Sequence, residues 1–411
     1  MQTDETMNDP RSVAVVEQDG RYRFYVDGEE FFAKGAGGGF SDPAELSRHG
    51  ANSMRTWTTR DARRILDDAE QAGIMVLMGI DVARERHGFD YDDPQAVAEQ
   101  LERIRNEVTA LRKHPALLAW GIGNELNLSA TNPRVWDAVN GIASMIHEVD
   151  PNHPTTTMLA GVAEQTISEI KRRAPELDFL SIQMYGTVSK AKELIRRAGY
   201  DGPYLITEWG ATGHWEVPAT EWGAPVEQTS SEKADAILDR YRTAVLGDPD
   251  RCMGSYVFLW GQKQERTPTW YGLITESGRK TEAIDVMEYV WTGSWPAHRA
   301  PRVTGVTIDG QGRYDSVRLT AGTPAKARLE VELPDGEQID ARAEVLPEAT
   351  VLGEGGDFEP RPEPVPGAID DARPDSVSFT APSEPGPYRL FVYLDDEHAH
   401  AATANLPFMV E

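Results

Sequence analysis

Short apolar runs alternate with helical patterns from Phe31 onward, and this alternation predicts parallel strands joined by helices. The predicted strands are Phe31–Ala36, Ser53–Trp57, Ile74–Ile80, Leu117–Ile122, Thr155–Leu159, Phe179–Tyr185, Tyr204–Glu208 and Gly254–Trp260. The predicted helices include Asp61–Ala72, Pro94–Lys113, Pro133–Val149, Gly161–Arg173, Lys190–Ala198 and Ser231–Leu246 between the strands, and Thr281–Val290 after the eighth strand. Eight strand–helix units predict an α/β fold, a closed (β/α)₈ TIM barrel, whose functional groups lie at the carboxyl ends of the strands.

Different patterns flank the predicted barrel. Val13–Val16 and Arg21–Val26 predict a β-hairpin before the first barrel strand. After Trp295–Pro301 the helical periodicity stops, and short strands between Gly, Pro and Asp turns predict an immunoglobulin-like β-sandwich. These strands are Arg302–Ile308, Ser316–Leu319, Ala327–Leu333, Ala341–Val345, Ser376–Thr380, Tyr388–Tyr393 and Ala402–Val410, with a loop over 352–374. We therefore predict a barrel domain over 12–298 and a sandwich domain over 299–411.

The composition narrows the class of protein. The chain has 411 residues and a net charge of −26, which disfavours binding to nucleic acid or to anionic membranes. The single cysteine, Cys252, excludes an intramolecular disulfide, and the Cys and His residues lack metal-ligand spacing. No apolar run reaches membrane length. The segment Met1–Arg11 lacks the basic and apolar regions of a signal peptide, so a secreted, periplasmic or cytoplasmic location stays open.

Two glutamates stand at the ends of predicted strands. Glu125 follows strand four in Trp120-Gly121-Ile122-Gly123-Asn124-Glu125, and Glu208 ends strand seven in Tyr204-Leu205-Ile206-Thr207-Glu208. Hydrolysis of a glycosidic bond needs two carboxyl groups, one to protonate the leaving oxygen and one to attack the sugar. We predict that Glu125 is the general acid/base and Glu208 the nucleophile. A surface Glu and a structural ion pair are the alternatives.

Other strand-end side chains suit the same chemistry. Asn124 can hydrogen-bond a sugar hydroxyl beside the acid. Arg55 ends strand two and can orient the Glu208 carboxylate, and Tyr185 ends strand six and can donate to it. Trp260 ends strand eight and is a candidate sugar platform. A buried salt bridge and aromatic core packing are the structural alternatives.

The predicted loops after strands seven and eight are rich in aromatic and amide side chains. The candidate substrate contacts in them are Trp209, His214, Trp215, Gln262 and Trp270. Barrel loops of this length are uncommon unless they are functional. Packing within the loops is the competing interpretation of each residue. Asp81, after strand three, is a further candidate for a polar sugar contact.

These motifs resemble the retaining glycoside hydrolases of clan A, which includes families 2 and 5. In that clan the acid/base follows an Asn at the end of strand four and the nucleophile ends strand seven, as Asn124-Glu125 and Glu208 do here. Arg55, Tyr185 and Trp260 also match. The resemblance covers about residues 30–292. It implies a (β/α)₈ barrel, a covalent glycosyl-enzyme intermediate, retention of configuration, and neither a metal nor an organic cofactor.

The chain departs from the clan pattern at one position, because Gln183 stands where the strand-six motif usually has Asn. A barrel followed by an immunoglobulin-like domain looks more like the endo-β-1,3-glucanases of family 158 than like the family 2 layout. The resemblance therefore implies a retaining β-glycoside hydrolase of a β-linked glucan, with β-1,3-glucan as the first candidate. Two alternatives stay open: a transglycosylase with the same catalytic pair, and a non-catalytic carbohydrate-binding barrel.

The expected partner is a carbohydrate substrate, without nucleic acid and without membrane insertion. The oligomeric state is left open by the sequence. For the C-terminal domain we expect a structural role, since no planar group of aromatic residues stands out in it.

Overall fold

The computed structural model describes residues 11–38, 41–333 and 338–411. The expectation about a signal peptide rests on Met1–Arg11, of which residues 1–10 lie outside these ranges. The chain forms two compact units, one of residues up to Trp209 with Tyr241–Phe258, the other of Gly210–Arg240 with Leu259–Glu411. The boundary that we predict between residues 298 and 299 stays a prediction.

The first unit contains a closed barrel of eight parallel strands, which confirms the predicted fold class. Its strands are β4 (Ala33–Gly37), β5 (Ser53–Arg55), β6 (Met75–Ile80), β7 (Leu117–Asn124), β8 (Thr155–Ala160), β9 (Phe179–Gln183), β10 (Tyr204–Glu208) and β11 (Cys252–Val257). Pairing of β11 with β4 closes the barrel. Tyr185 and Trp260, predicted as the last residues of their strands, lie beyond the observed strand ends at Gln183 and Val257.

A three-stranded antiparallel sheet precedes the barrel and confirms the predicted hairpin. It consists of β1 (Val13–Gln18), β2 (Arg21–Val26) and β3 (Glu29–Phe31). Phe24 of β2 belongs to a buried apolar cluster with Met75 and Phe179, the first residues of β6 and β9. The sheet therefore packs at the amino-terminal end of the barrel strands. Their carboxyl ends carry the polar side chains that are described below.

Amphipathic helices connect the strands of the first unit. They are α1 (Pro43–Arg48), α2 (Ala62–Ala72), α3 (Pro94–Leu111), α4 (Arg134–Val149), α5 (Glu164–Arg173) and α6 (Ala191–Arg197), with 3₁₀ turns at Glu85–His87 and Gly186–Lys190 and a π-helical turn at Tyr241–Val245. In α3, Asp93 caps the first turn by accepting from the backbone N–H groups of Gln95 and Ala96. The same helix buries Ile104 and Val108. In the described part of the chain, no helix has the length and apolar character that a membrane span requires.

The described residues of the second unit form two β-sheets and two helices, α7 (Ser230–Arg240) and α8 (Glu282–Thr292). One sheet has the order β13 (Gln311–Gly312), β12 (Arg302–Ile308), β15 (Pro324–Glu332), β18 (Ser376–Thr380), β17 (Ile369–Arg373). The other has the order β14 (Arg318–Leu319), β20 (Ala401–Val410), β19 (Gly386–Asp395), β16 (Asp340–Pro347). Val306 and Phe379 of the first sheet share one buried core with Leu390 and Phe408 of the second. This arrangement confirms the predicted β-sandwich.

One stretch of the sandwich was predicted incorrectly. Residues 352–374 were expected to form a loop, yet Ile369–Arg373 pairs antiparallel with β18 as strand β17. The stretch is polar because β17 is the edge strand of its sheet, so most of its side chains stay in solvent. Backbone pairing, rather than an apolar alternation, defines this strand.

Candidate active site

The Glu208 carboxylate, at the carboxyl end of β10, accepts hydrogen bonds on both oxygens. Its Oε1 accepts from Arg55 Nη1 at 3.2 Å, from Trp57 Nε1 at 2.9 Å and from Gln183 Nε2 at 2.9 Å. Its Oε2 accepts from the Tyr185 hydroxyl at 2.8 Å. The side chain is buried. Four donors therefore fix the carboxylate in one orientation, and one of them is a cation.

Arg55 is the buried cation of this cluster. Its Nη1 also donates to the Thr207 carbonyl at 2.9 Å, and its Nη2 donates to Asn124 Oδ1 at 2.8 Å. Burial lowers the pKa of the Arg55 guanidinium, and the Glu208 carboxylate opposes this shift. Because the ordinary pKa of arginine lies far above neutrality, the group stays charged. Arg55 thus links the two strand ends that carry Asn124 and Glu208.

Gln183 completes the cluster at the position where the sequence departs from the clan motif. Its Nε2 donates to Asn124 Oδ1 at 2.8 Å as well as to Glu208 Oε1. The side-chain oxygen of Asn124, Oδ1, therefore accepts from two donors, Gln183 and Arg55. Both amides are held in defined orientations. Gln183 was missing from the predicted site residues, although its place two residues before Tyr185 pointed to it.

Glu125 follows Asn124 in an uncommon backbone conformation. Its φ is +52°, in the left-handed region that costs a residue with a side chain about 1–3 kcal/mol. Its N–H donates to the Met158 carbonyl at 2.9 Å, and its carbonyl accepts from the N–H of Leu128 at 3.0 Å. The Glu125 carboxylate also acts to raise the pKa of the Arg55 guanidinium by charge attraction. Glu125, Arg55 and Glu208 therefore belong to one electrostatic cluster.

The segment after Glu125 is fixed by a carboxylate from the 3₁₀ turn that follows β6. Glu85 accepts from the N–H of Thr131 at 2.8 Å, from its hydroxyl at 2.7 Å and from the N–H of Asn132 at 2.9 Å. These bonds lower the pKa of the Glu85 carboxyl. Arg84, directly before this turn, donates from Nε to the backbone carbonyl oxygen of Asn124 at 3.3 Å. The backbone on both sides of Glu125 is thereby held in place.

Trp57 is the second site residue that sequence reasoning missed. A Cβ atom on Gly79 would lie 2.4 Å from the Thr56 carbonyl oxygen and 2.6 Å from the Trp57 carbonyl carbon. A Cβ atom on Gly37 would lie 2.8 Å from the end of the Trp57 indole. Glycine at both positions leaves the space that Trp57 needs to reach Glu208. The Arg55 guanidinium lies 4.8 Å from the centroid of the indole ring, in cation–π contact.

Two further candidates of the first unit lie in other surroundings. Trp209 is fully buried, and its ring packs 5.9 Å from that of Tyr241. Asp81 is exposed and lies 3.9 Å from Arg84, in a weak ion pair past the end of β6. The sugar contacts that we predict for Trp209 and Asp81 stay predictions.

The predicted sugar contacts of the second unit differ in how far their side chains are exposed. Trp260 is buried and stacks on Trp291 at 5.8 Å, and the buried Trp270 donates its indole N–H to the Thr212 carbonyl at 2.9 Å. Gln262 Nε2 donates to the Pro268 carbonyl at 3.0 Å. These contacts are loop and core packing, so the sugar-binding roles of the three candidates stay predictions. His214 and Trp215 pack against each other, and Trp215 is largely exposed.

The site geometry gives no indication of a metal centre. Across residues 11–38, 41–333 and 338–411, no group of three or more His, Cys, Asp or Glu side chains is arranged to hold a metal ion. Cys252 is buried, and burial raises the pKa of its thiol to about 12. The polar cluster around Glu208 is built instead from carboxylates, amides, a phenol, an indole and one guanidinium.

The barrel is similar to the catalytic barrels of known enzymes. Residues 40–214 match the family model described as glycosyl hydrolases family 2, TIM barrel domain. The match supports the resemblance of this segment to the glycoside hydrolases of clan A. The match favours family 2 over family 158, which corrects that part of the sequence prediction. No curated protein sequence matches the chain.

Several solved structures share the fold. The β-glucuronidase of Bifidobacterium dentium, complexed with coumarin-3-O-glucuronide, is 18% identical with a TM-score of 0.53, over 69% of this chain and 49% of that one. Bacteroides uniformis β-glucuronidase 2, covalently bound to cyclophellitol-6-carboxylate aziridine, is 13% identical with a TM-score of 0.54, over 98% of this chain and 48% of that one. Ruminococcus gnavus β-glucuronidase is 15% identical with a TM-score of 0.54, over 69% of this chain and 53% of that one. This chain thus spans about half the length of these proteins, and the likeness shows the fold alone.

Proposed function

We propose that the chain is a retaining β-glycoside hydrolase in which Glu208 is the nucleophile and Glu125 the general acid/base. The observation that carries the proposal is the set of four donors on the Glu208 carboxylate at the carboxyl end of a barrel strand. Glu125, in the same electrostatic cluster as Arg55 and Glu208, supplies the second carboxyl group that the reaction needs. The match to the family 2 barrel model supports this assignment.

The hydrogen bonds favour one Glu208 oxygen as the attacking atom. A carboxylate oxygen offers about two lone-pair directions. Oε1 already accepts three hydrogen bonds, whereas Oε2 accepts one, from Tyr185. Oε2 therefore keeps a lone pair for the anomeric carbon. Oε1 holds the carboxylate in place during the attack.

The reaction then proceeds in two displacements. Glu208 Oε2 forms a bond to the anomeric carbon while the glycosidic bond breaks, and the Glu125 proton passes to the leaving oxygen. In the second displacement Glu125 takes a proton from water, the water oxygen bonds to the anomeric carbon, and Glu208 leaves as a carboxylate. Arg55 and Tyr185 are placed to stabilise the returning charge. A retaining pair requires carboxyl groups about 5–5.5 Å apart.

The substrate class that we propose is a β-linked glycoside. The structural neighbours are named as β-glucuronidases, which makes β-glucuronides one candidate for this chain. The prediction of β-1,3-glucan rests on the resemblance to family 158, and the family match gives it no support. Uronides, neutral hexosides and glucans therefore belong together in the first substrate panel.

The test is turnover of aryl β-glycosides and soluble β-glucans by the native chain, Glu125→Gln and Glu208→Gln. Glu193→Gln, at an exposed position on α6, is the matched control. We expect both site variants to lose activity by about 10²-fold or more, with retained configuration in the native product and a control equal to the native chain. Native-like activity of Glu208→Gln would refute the proposal. Glycan binding without turnover by any of the proteins would favour the non-catalytic barrel.

Product analysis also separates hydrolysis from transfer. In a hydrolase, water accepts the glycosyl group, so the products of one cleavage are shorter than the substrate. A transglycosylase would form longer oligosaccharides from the same substrate with the same catalytic pair. We expect shorter products only.

A further inference from the structure

Trp215 and Phe358 are among the large aromatic side chains that the second unit presents to solvent. Trp215 is 60% exposed and Phe358 is 85% exposed. Trp215 follows β10 in the chain, and Phe358 lies between β16 and β17 of the sandwich. Each ring offers a large apolar face that a ligand with an apolar face of its own can cover.

A buried carboxylate attaches the Phe358 loop to the loop after β11. The Glu359 carboxylate accepts from Arg266 N at 2.6 Å, from Arg266 Nη1 at 2.9 Å and from Gly353 N at 2.8 Å. The side chain of Glu359 is fully buried. The chain on either side of Phe358 is thereby fixed at Gly353 and at Glu359. Phe358 is therefore presented from an anchored loop.

Arg266 also joins this loop to the one that carries Trp215. Its Nε donates to His214 Nδ1 at 3.4 Å, and the His214 ring packs edge-on against Trp215 at 4.8 Å. A Cβ atom on Gly213 would lie 2.7 Å from the Trp215 indole, so the indole lies against the backbone there. The Trp215 indole therefore packs on one side against Gly213 and His214, and the remainder of the ring is exposed to solvent.

Both cations of the segment 263–266 have carboxylate partners. Arg266 is paired with Glu359 at 2.9 Å, and Lys263 is paired with Glu265 at 2.6 Å. Burial and the nearby cations lower the pKa of His214 to about 4, so the ring is neutral at neutral pH. Because each cation has a carboxylate partner, an anionic sugar gains little attraction here. The apolar faces of uncharged pyranose rings suit the two aromatic side chains.

We propose that Trp215 and Phe358, together with the loop segment 263–266 between their anchors, form a binding surface for uncharged pyranose units of an oligosaccharide. We call these residues the aromatic loop surface. The sandwich domain contributes Phe358 and Glu359 to it, which goes beyond the structural role expected from the sequence. This inference does not depend on the proposed hydrolysis, because glycan binding to the surface uses neither Glu125 nor Glu208.

The test is affinity electrophoresis of the full chain carrying Glu208→Gln, so that the glycan in the gel stays intact. The neutral probes are laminarin, lichenan and galactan, and the anionic probe is polygalacturonate. Trp215→Ala and Phe358→Ala are compared with Tyr314→Ala, which removes an aromatic ring that is 62% exposed elsewhere in the sandwich. All three changes are at exposed positions and leave the buried core intact.

We expect retardation by at least one neutral glycan, with the apparent dissociation constant raised about tenfold by Trp215→Ala and severalfold by Phe358→Ala. Tyr314→Ala should bind like its parent. Absence of binding to every neutral probe, equal binding by all variants, or tighter binding of polygalacturonate would overturn the inference. Turnover of aryl glycosides by the native chain reports separately on the proposed hydrolysis, so failure of one leaves the other standing.

Discussion

Replacement of Arg55 by methionine tests whether the cation holds the candidate site together. Arg55→Met keeps an unbranched side chain but removes the hydrogen bonds to Glu208, to Asn124 and to the Thr207 carbonyl. Glu208 is then buried without its counter-ion. Loss of one partner of a buried ion pair costs about 3–5 kcal/mol. At about 2–4 °C per kcal/mol for a unit of this size, we expect Tm to fall by about 6–20 °C.

The assay is calorimetric unfolding of four proteins: native, Arg55→Met, Glu208→Gln and the double variant. If an uncompensated Glu208 charge causes the loss, adding Glu208→Gln should recover much of the Tm, so the two changes are not additive. Arg64→Met is the matched control, because Arg64 is exposed and its pair with Asp68 is worth under about 1 kcal/mol. A fall in Tm of about 2 °C corresponds to a loss of at most about 1 kcal/mol in the free energy of unfolding. A smaller fall than this for Arg55→Met would refute the reasoning. So would additive losses in the double variant.

The remaining predictions concern packing, donors and pH. Gly79→Ala should lower the free energy of unfolding by about 1–3 kcal/mol and should lower kcat/KM, because the new methyl group displaces Trp57. Gly141→Ala on α4 is the control: the added methyl group has open space, so this change should raise the free energy of unfolding by about 0.5–1 kcal/mol. Equal Tm values for the two variants would contradict the account. Gln183→Ala removes the hydrogen bond to the charged Glu208 carboxylate, and such a bond contributes about 1.5–3 kcal/mol, so kcat/KM should fall about 10- to 150-fold. A fall of less than about twofold would contradict the role of Gln183 in positioning Glu208. The pKa of His214 is lowered from 6.5 to about 4, so the unfolded chain binds a proton that the folded chain does not, and stability is lost as the pH falls from about 6.5 to about 4. His214→Gln should flatten the dependence of Tm on pH between 7 and 4.5, and parallel curves would contradict this assignment.

The barrel and its polar centre were accessible from the sequence because both depend on local patterns. Period and length of the apolar runs identify the strands, and parallel strands place Asn124 and Glu208 at one end. The structure adds that Arg55 and Tyr185 contact Glu208 directly. Gln183 could have been included on the same reasoning, since an amide longer by one methylene group still reaches two strand ends.

Residues whose role depends on space between distant segments were not accessible. Trp57 reaches Glu208 because Gly37 and Gly79, on the neighbouring strands, leave room for it. No periodicity in the sequence reports such a gap. Conversely, Trp209 and Trp260 follow strands, yet both rings are buried against other aromatic rings. A strand-end aromatic residue gives no sign of whether its ring faces solvent or core.

The most direct test of the central claim is to trap the covalent intermediate. Cyclophellitol aziridines of gluco, galacto and glucurono configuration are incubated with the native chain and with Glu208→Gln, followed by intact mass measurement and peptide mapping; one such reagent is covalently bound in the Bacteroides uniformis structure. We predict a single adduct on Glu208 of the native chain, from the reagent that matches the substrate, and none on Glu208→Gln. An adduct on another carboxylate, or turnover with inversion and no adduct, would contradict the assignment of Glu208 as the nucleophile.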